Sequence, residues 1–282
     1  MYAVTGATGQ LGRKVIAQLR ERVPSSDIVA IVRNPGKAAD LGVTSRAADY
    51  ADPAALERAL SGVHKLLLIS SSSFATRQAE HGNVIVAAKQ AGVRHIVYTS
   101  LLHAEQWTPG FARDHVETER LLGESGLGFT ILRNGWYWEN HTASLGLALG
   151  HGVLIGSAGD APISWASRRD FADAAVAVLT GNDHAGRTYE LAGDQPHTLA
   201  ELAAEAADQS AEPVVYQNLS QAEHAAFYER AGLPPPVAAM IAEIEAQGVA
   251  SGVLRDDGRT LSRLIGRPTQ SLREAVTEAL AS

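Results

Sequence analysis

Val4 to Gly12 read VTGATGQLG, and the fold turns on this stretch. Met1 to Thr5 ahead of it is a short apolar strand, and Leu11, Val15, Ile16 and Leu19 behind it recur at helical spacing. Glycines 6, 9 and 12 therefore lie between a strand and an amphipathic helix, the context in which this pattern cradles a pyrophosphate. The first permits the tight turn, the second lets backbone approach a phosphate, and the third lets helix and sheet close together. The helix start adds unpaired N–H groups and a positive dipole end. A purely structural turn is the alternative, and the strand–helix setting argues against it.

Outward from the turn, strands and helices alternate. DIVAIV (residues 27–32) is a second strand ending at Arg33-Asn34-Pro35. Asp52-Pro53 reads as a helix cap with proline at the first position, and VHKLLLI (63–69) is a buried strand running into four serines. A helix over 80–91, a strand over 95–99, the helix FARDHVETERLLGES (111–125) and a strand over 129–132 follow. This order predicts an α/β fold: a Rossmann-like, doubly wound parallel sheet covered on both faces. After about residue 134 the rhythm loosens and LPPP (233–236) appears. The expected division is an NADP-binding Rossmann core over 1–133, then the remaining Rossmann elements plus a smaller C-terminal, substrate-binding lobe over 134–282.

The tip of the second strand selects the cofactor. A binder of NAD usually places an acid there for the ribose 2′-hydroxyl. This chain has Arg33, with Lys37 beyond it, and a guanidinium suits a 2′-phosphate. NADP(H) is the expected cofactor, against the alternative of a merely solvated arginine. Other strand ends carry Ser70 to Ser73, Thr99-Ser100 and Arg133-Asn134-Gly135, small and polar enough to line a bound nucleotide. NGWYWEN then sets Trp136, Tyr137 and Trp138 nearby, where they could stack on a planar ligand or fill a core. Phe74, Trp107 and Trp165 stand on flanking loops.

Composition narrows the rest. A net charge of -7 disfavours a nucleic-acid partner, and 0 Cys removes disulfides, thiolate metal sites and cysteine nucleophiles. No apolar run is long enough to span a bilayer, so no membrane partner and a cytoplasmic location are expected. No G-x-S-x-G elbow surrounds Ser100, and no H-E-x-x-H occurs, so a hydrolase and a metal site are not expected.

In order along nearly the whole chain stand AVTGATGQLG, AIVRNP, KLLLISSS, HIVYTSLLHAE, HVETE, LRNGWYWEN, YELAG, YQNLS and LIGRPT. Together they resemble the NmrA-like, atypical short-chain dehydrogenase/reductases, and within them the NADPH:quinone oxidoreductase type, with triphenylmethane-dye reductases as near relatives. The resemblance implies cofactor contacts at Gly6, Ala7, Thr8, Gly9, Gln10, Leu11, Arg33, Ser70, Ser71, Ser72, Thr99, Asn134, Gly135, Trp136 and Tyr137. It implies a planar acceptor such as a quinone in the cleft between core and lobe, where Phe74, Tyr137 and Trp138 are the candidate contacts from their positions. The stretch SFATRQ and Trp138 depart from the pattern near that acceptor. A homodimer is left open.

No tyrosine has a lysine four residues on, the pair that protonates an alkoxide in carbonyl reductases. Hydride addition to a quinone gives a weakly basic hydroquinone anion that water can protonate, so the gap fits quinone reduction. In the helix over 111–125, His115 and Glu119 stand one turn apart. They can meet on one face, and the expectation is either a hydrogen-bonded pair without catalytic duty or a His115 that donates a proton or steadies the acceptor. A non-catalytic NADP-binding sensor and a reductase of triarylmethane dyes are the competing functions.

Overall fold

The computed structural model describes residues 1–107 and 111–281. Its strands are β1 (Tyr2–Thr5), β2 (Ile28–Val32), β3 (Thr44–Ala47), β4 (Lys65–Leu68), β5 (His95–Leu101), β6 (Gly128–Asn134), β7 (Val153–Gly156), β8 (Arg187–Leu191) and β9 (Val215–Asn218). The helices of the first half are α1 (Gln10–Arg20), α2 (Pro53–Ala59), α3 (Arg77–Gln90) and α4 (Arg113–Glu124). Those of the second are α5 (Glu139–Thr142), α6 (Leu145–His151), α7 (Arg168–Thr180), α8 (Leu199–Ser210), α9 (Gln221–Arg230), α10 (Pro235–Glu243), α11 (Thr260–Ile265) and α12 (Leu272–Leu280).

Seven strands form one sheet in the order β3-β2-β1-β4-β5-β6-β8, parallel throughout. The chain winds outward from β1 to β3, then returns to β4 on the other side of β1. That reversal opens a crevice at the carboxyl ends of β1 and β4, where doubly wound sheets bind ligands. Burial on both faces explains the near-continuous apolar runs: all five residues of IVAIV in β2 are buried. One face packs on α1 and α7 through Val15, Ile16, Phe171 and Leu179. The other packs on α2, α3 and α4 through Leu56, Leu60, Val84 and Leu122.

A third core is built mostly from the second half and takes in Leu101, Leu102 and Ala112 from the first. It holds Trp107, Trp138, Trp165, Leu202 and Val249, beside the small parallel pair β7-β9. Residues beyond 134 also return β8 to the main sheet next to β6. His103 ties the tip of β5 to this half: Nδ1 donates to the Val253 carbonyl at 2.8 Å, from a left-handed backbone with φ 50°. Among the described residues no helix is long and apolar enough to cross a membrane.

Two local expectations change. β3 is a short polar edge strand, TSRA, without apolar alternation to announce it. The third helix starts at Arg77 and not at 80, because Thr76 accepts the Glu80 amide and its hydroxyl donates to Glu80 Oε1 at 2.6 Å. The cap at Asp52 is as expected, with its carboxylate accepting from Ala55 N at 2.9 Å.

Candidate functional site

The glycine turn is built for a backbone-bound ligand. Gly6 takes φ 59°, which only glycine adopts cheaply, and a Cβ on Gly12 would lie 2.3 Å from the Gly6 carbonyl oxygen. Gly6, Gly9 and Gln10 are exposed, whereas the side chains of Ala7 and Leu11 point into the core. Those two residues can therefore serve a ligand only through backbone. No side chain caps the start of α1 and its first turn carries no acid, so the N–H groups of Gln10, Leu11 and Gly12 remain open to an anion. Arg13 fastens the turn from behind. It donates to the Thr8 carbonyl at 3.2 Å and the Lys37 carbonyl at 2.8 Å, and pairs with Asp40. Sequence reading passed over Arg13, because an arginine on an exposed helix face carries no motif.

Arg33 follows β2 directly, beside the turn that follows β1. It is exposed, and among the described residues no carboxylate pairs with it and no hydrogen bond holds it. A free guanidinium next to an open helix start is a fit for a phosphorylated ribose joined to a pyrophosphate. The cradle thus accepts the group that the sequence implies.

The other strand tips divide into shaped and open positions. Thr99 is buried and its hydroxyl oxygen accepts from Ser70 N at 2.9 Å, so it shapes the loop after β4. Ser71 is fully engaged: its amide donates to His81, its carbonyl accepts from Arg77 and its hydroxyl donates to Glu80. Ser72 is exposed. Asn134 closes β6 with a side chain 4% exposed, and its Oδ1 is buried without a partner, an acceptor waiting for a donor. Gly135 packs so closely that a Cβ would sit 3.0 Å from the Leu191 carbonyl.

The aromatics separate in the same way. Phe74, 43% exposed, lies 6.2 Å from Phe111, which adjoins Trp107 at 5.2 Å and Trp136 at 6.4 Å. Tyr137 is half-buried between Phe171 and the guanidinium of Arg168, and burial raises its phenol pKa. Trp138 corrects an expectation. It is 2% exposed, stacks on Trp165 at 4.8 Å and donates to the Gln270 carbonyl, so it is a core residue and not an acceptor contact. A cavity of about 690 Å³ lies beside Trp107, lined also by Ala104, Ala112 and Val116 and by the polar Gln78, Glu105, Arg113 and Glu117. It includes none of the strand-tip residues, so it is separate from the cofactor cradle.

The expected His115–Glu119 pair is absent. Glu119 turns to the sheet, where it takes the Ser100 hydroxyl and a two-pronged ion pair from Arg133. Arg133 also reaches Glu190, joining α4, β6 and β8. His115 turns the other way, 6% exposed, with Nδ1 at 2.8 Å from the Tyr98 hydroxyl and Nε2 at 3.4 Å from Arg77. Burial, then the charge of Arg77, lowers its pKa to about 3. A ring so held is uncharged at neutral pH.

The second half contains a polar cluster that the sequence did not announce. Glu245, 7% exposed on the π-helical turn Ile244–Gly248, accepts from Ser157 N at 2.8 Å. His224 Nδ1 meets the Ser157 hydroxyl at 2.8 Å and Glu245 at 3.9 Å. Burial pushes the Glu245 carboxyl up to about 7. Serine and carboxylate both address the same ring nitrogen, and all three groups are buried, so the relay of a hydrolytic triad is not present.

Known proteins place this architecture. An NAD(P)H-binding family model matches residues 6–182. The chain is 55% identical over 280 residues to quinone oxidoreductase 2 of Escherichia coli K12, covering 98% of each. It superposes on the Escherichia coli NADPH-dependent quinone oxidoreductase complexed with NADPH with a TM-score of 0.96 at 54% identity, covering 99% of this chain and 100% of that one. The NADP(H) complex of Citrobacter sp. triphenylmethane reductase superposes with a TM-score of 0.94 at 38% identity, again over 99% and 100%. With the glycine cradle, the free Arg33 and these full-length matches together, the chain belongs to the NmrA-like NAD(P)H-binding family.

Proposed function

We propose that this protein is an NADPH:quinone oxidoreductase, passing a hydride from NADPH to a planar quinone lying against the aromatic row of Phe74, Phe111 and Trp136. The observation that carries the reading is the pairing of a phosphate-ready turn with a flanking row of aromatic side chains. Full-length identity to a quinone oxidoreductase supports it.

The open N–H groups at the start of α1 and the exposed Arg33 would hold the phosphates, with Lys37 close by. The Ser70–Ser72 loop and Gly135 would line the sugar, and the unpartnered Asn134 Oδ1 would take an amide N–H. Bound there, NADPH supplies the hydride. The chain's own contribution is to hold the acceptor flat, keep water from the reacting face and bring the partners into contact, a proximity effect. The quinone gains the hydride as a C–H or O–H electron pair and becomes a hydroquinone anion. Its last proton comes from water. The smaller C-terminal lobe, residues 134–282 less β8 and the sheet-packed α7, would cover the acceptor.

A dye acceptor is the second reading, favoured by the likeness to triphenylmethane reductase. The test is NADPH oxidation followed at the reduced-nicotinamide band on adding benzoquinone, naphthoquinone or a triarylmethane dye in turn. Fast oxidation with the quinones is expected. Tight NADPH binding without acceptor-dependent oxidation would instead identify a sensor.

A further inference from the structure

Arg77 is a buried cation without a direct ion pair; the carboxylates of Glu80 and Asp114 act on it only across a distance. It is 5% exposed, and among the described residues no acid lies within ion-pair reach of it. Its guanidinium is held by the Ser71 carbonyl at 2.7 Å from Nε, by His115 Nε2 at 3.4 Å, and by the face of Phe74 at 4.5 Å from the ring centre. A buried guanidinium is costly unless its surroundings are fixed, and here they are fixed by a chain of protons with one possible direction.

Arginine only donates, so His115 Nε2 accepts. The one ring proton of neutral His115 is therefore on Nδ1 and goes to the Tyr98 oxygen. One turn further along α4 the Thr118 hydroxyl donates to the Asp114 carbonyl at 2.7 Å. A second histidine meets the same threonine. His81 Nε2 accepts the Ser71 amide at 2.9 Å, which leaves its proton on Nδ1 for Thr118. Ser71 is thus gripped at both ends of its residue, by His81 on the amide and by Arg77 on the carbonyl. The Ser73 amide adds a bond to the Ser71 hydroxyl at 3.1 Å. Both ring protons are engaged and Tyr98, His81 and His115 are buried, and Ser71, Arg77 and the two histidines converge on the loop that ends in exposed Phe74.

We infer that His115 is a positioning residue: through Arg77 it fixes Phe74, which forms one face of the acceptor site. The inference rests on the quinone-reductase reading for the identity of the acceptor. His115 would then set acceptor affinity and not the chemical step.

The test compares His115→Leu, His115→Gln, Phe74→Ala and the double variant His115→Leu/Phe74→Ala. His115→Leu and Phe74→Ala are each expected to raise quinone KM about tenfold with kcat and NADPH affinity within about twofold. The double variant should be no worse than either, since both act through the same ring. His115→Gln, able to accept from Arg77, should recover most of the loss. Between about pH 5.5 and 8.5 the kcat profile of His115→Gln should overlay that of the parent protein. A collapse of kcat at unchanged KM, with loss of a pH limb, would overturn the proposal in favour of a proton donor, and additive effects in the double variant would also overturn it. If His115→Leu does not fold, Arg77→Lys replaces it, because an ammonium cannot hold both the Ser71 carbonyl and the histidine while underlying the ring. Quenching of tryptophan fluorescence by naphthoquinone on the NADP⁺-loaded protein needs no turnover. It separates loss of the acceptor wall from failure of the quinone-reductase reading itself.

Discussion

The glycine turn after β1 and the C-terminal lobe serve neighbouring parts of one molecule but are made of different material. The turn is backbone: its shape is set by Gly6 at φ 59° and by a Gly12 that has no room for a Cβ. The lobe is side chain: stacked Trp138 and Trp165 and the Ser157–His224–Glu245 cluster. A backbone cradle has one solution, so it is shared among many nucleotide binders. Side-chain surfaces have many solutions, so the second half has more freedom to differ than the turn. The difference also shows in pH. His81 and His115 under the sheet are held neutral with pKa values of about 3, while Glu245 in the lobe is raised to about 7.

The largest effect is expected where the backbone leaves no choice. Gly12→Ala places a Cβ 2.3 Å from one backbone oxygen and 2.7 Å from Ala7 Cα. Overpacking of this kind costs about 1–3 kcal/mol and must move the turn. NADPH affinity should fall at least about 100-fold by titration calorimetry, a weight that fits loss of several phosphate contacts. A variant binding as tightly as the parent protein would mean that the turn is structural only.

Next comes the charged side chain at the same end. Arg33→Asp should weaken NADPH about 10- to 100-fold and leave NADH within about threefold, because it replaces an attraction to the 2′-phosphate with a repulsion. Equal losses for the two cofactors would remove Arg33 from the phosphate site.

The smallest kinetic effect is expected in the lobe. Glu245 has a folded pKa of about 7 against 4.5 for the free side chain. Protonated in both states below about 4.5, it costs nothing there. As pH rises the unfolded chain ionises first, so folded stability falls between about 4.5 and 7 by something on the order of 3 kcal/mol. Glu245→Gln should flatten that slope and raise the melting temperature at pH 8 by several degrees, with NADPH affinity unchanged. His81 and His115 have the opposite sign: their contribution is complete above about pH 6.5 and is lost as the pH falls toward 3. Calorimetric scans across the two windows check both.

This contrast also explains what could be read from the residues. The turn, the Asp52 cap and the buried strands β2, β4 and β5 were legible, because glycine spacing, capping chemistry and apolar runs act locally. β3 was not, since TSRA on an exposed edge has no apolar pattern. The partners of His115 were hidden for a different reason. Tyr98 and Arg77 lie 17 and 38 residues away, and only the packing of α3 and α4 against β5 brings them together. Reading His115 with Glu119 followed helical spacing correctly, but tertiary contacts turned the two side chains in opposite directions. The one available clue was that His115 and Thr118 fall on the same helix face, opposite Tyr98 and Ser100 at alternate positions of β5. Glu245 was missed because a glutamate in an Ala- and Glu-rich helix reads as solvated. Trp138 could be read as core or ligand contact, and only the stack on Trp165 decided it.

The central claim, hydride transfer from NADPH to a quinone without an acid from the protein, is tested most directly by single-turnover kinetics. The protein is loaded with NADPH deuterated at the transferred position, mixed with naphthoquinone and followed at the reduced-nicotinamide band from about pH 5.5 to 8.5. The account predicts rapid loss of the band, a primary isotope effect at every pH, and a rate constant with no step attributable to a histidine. A rate that falls with a single ionisation near neutrality, or a loaded protein that does not react, would contradict it.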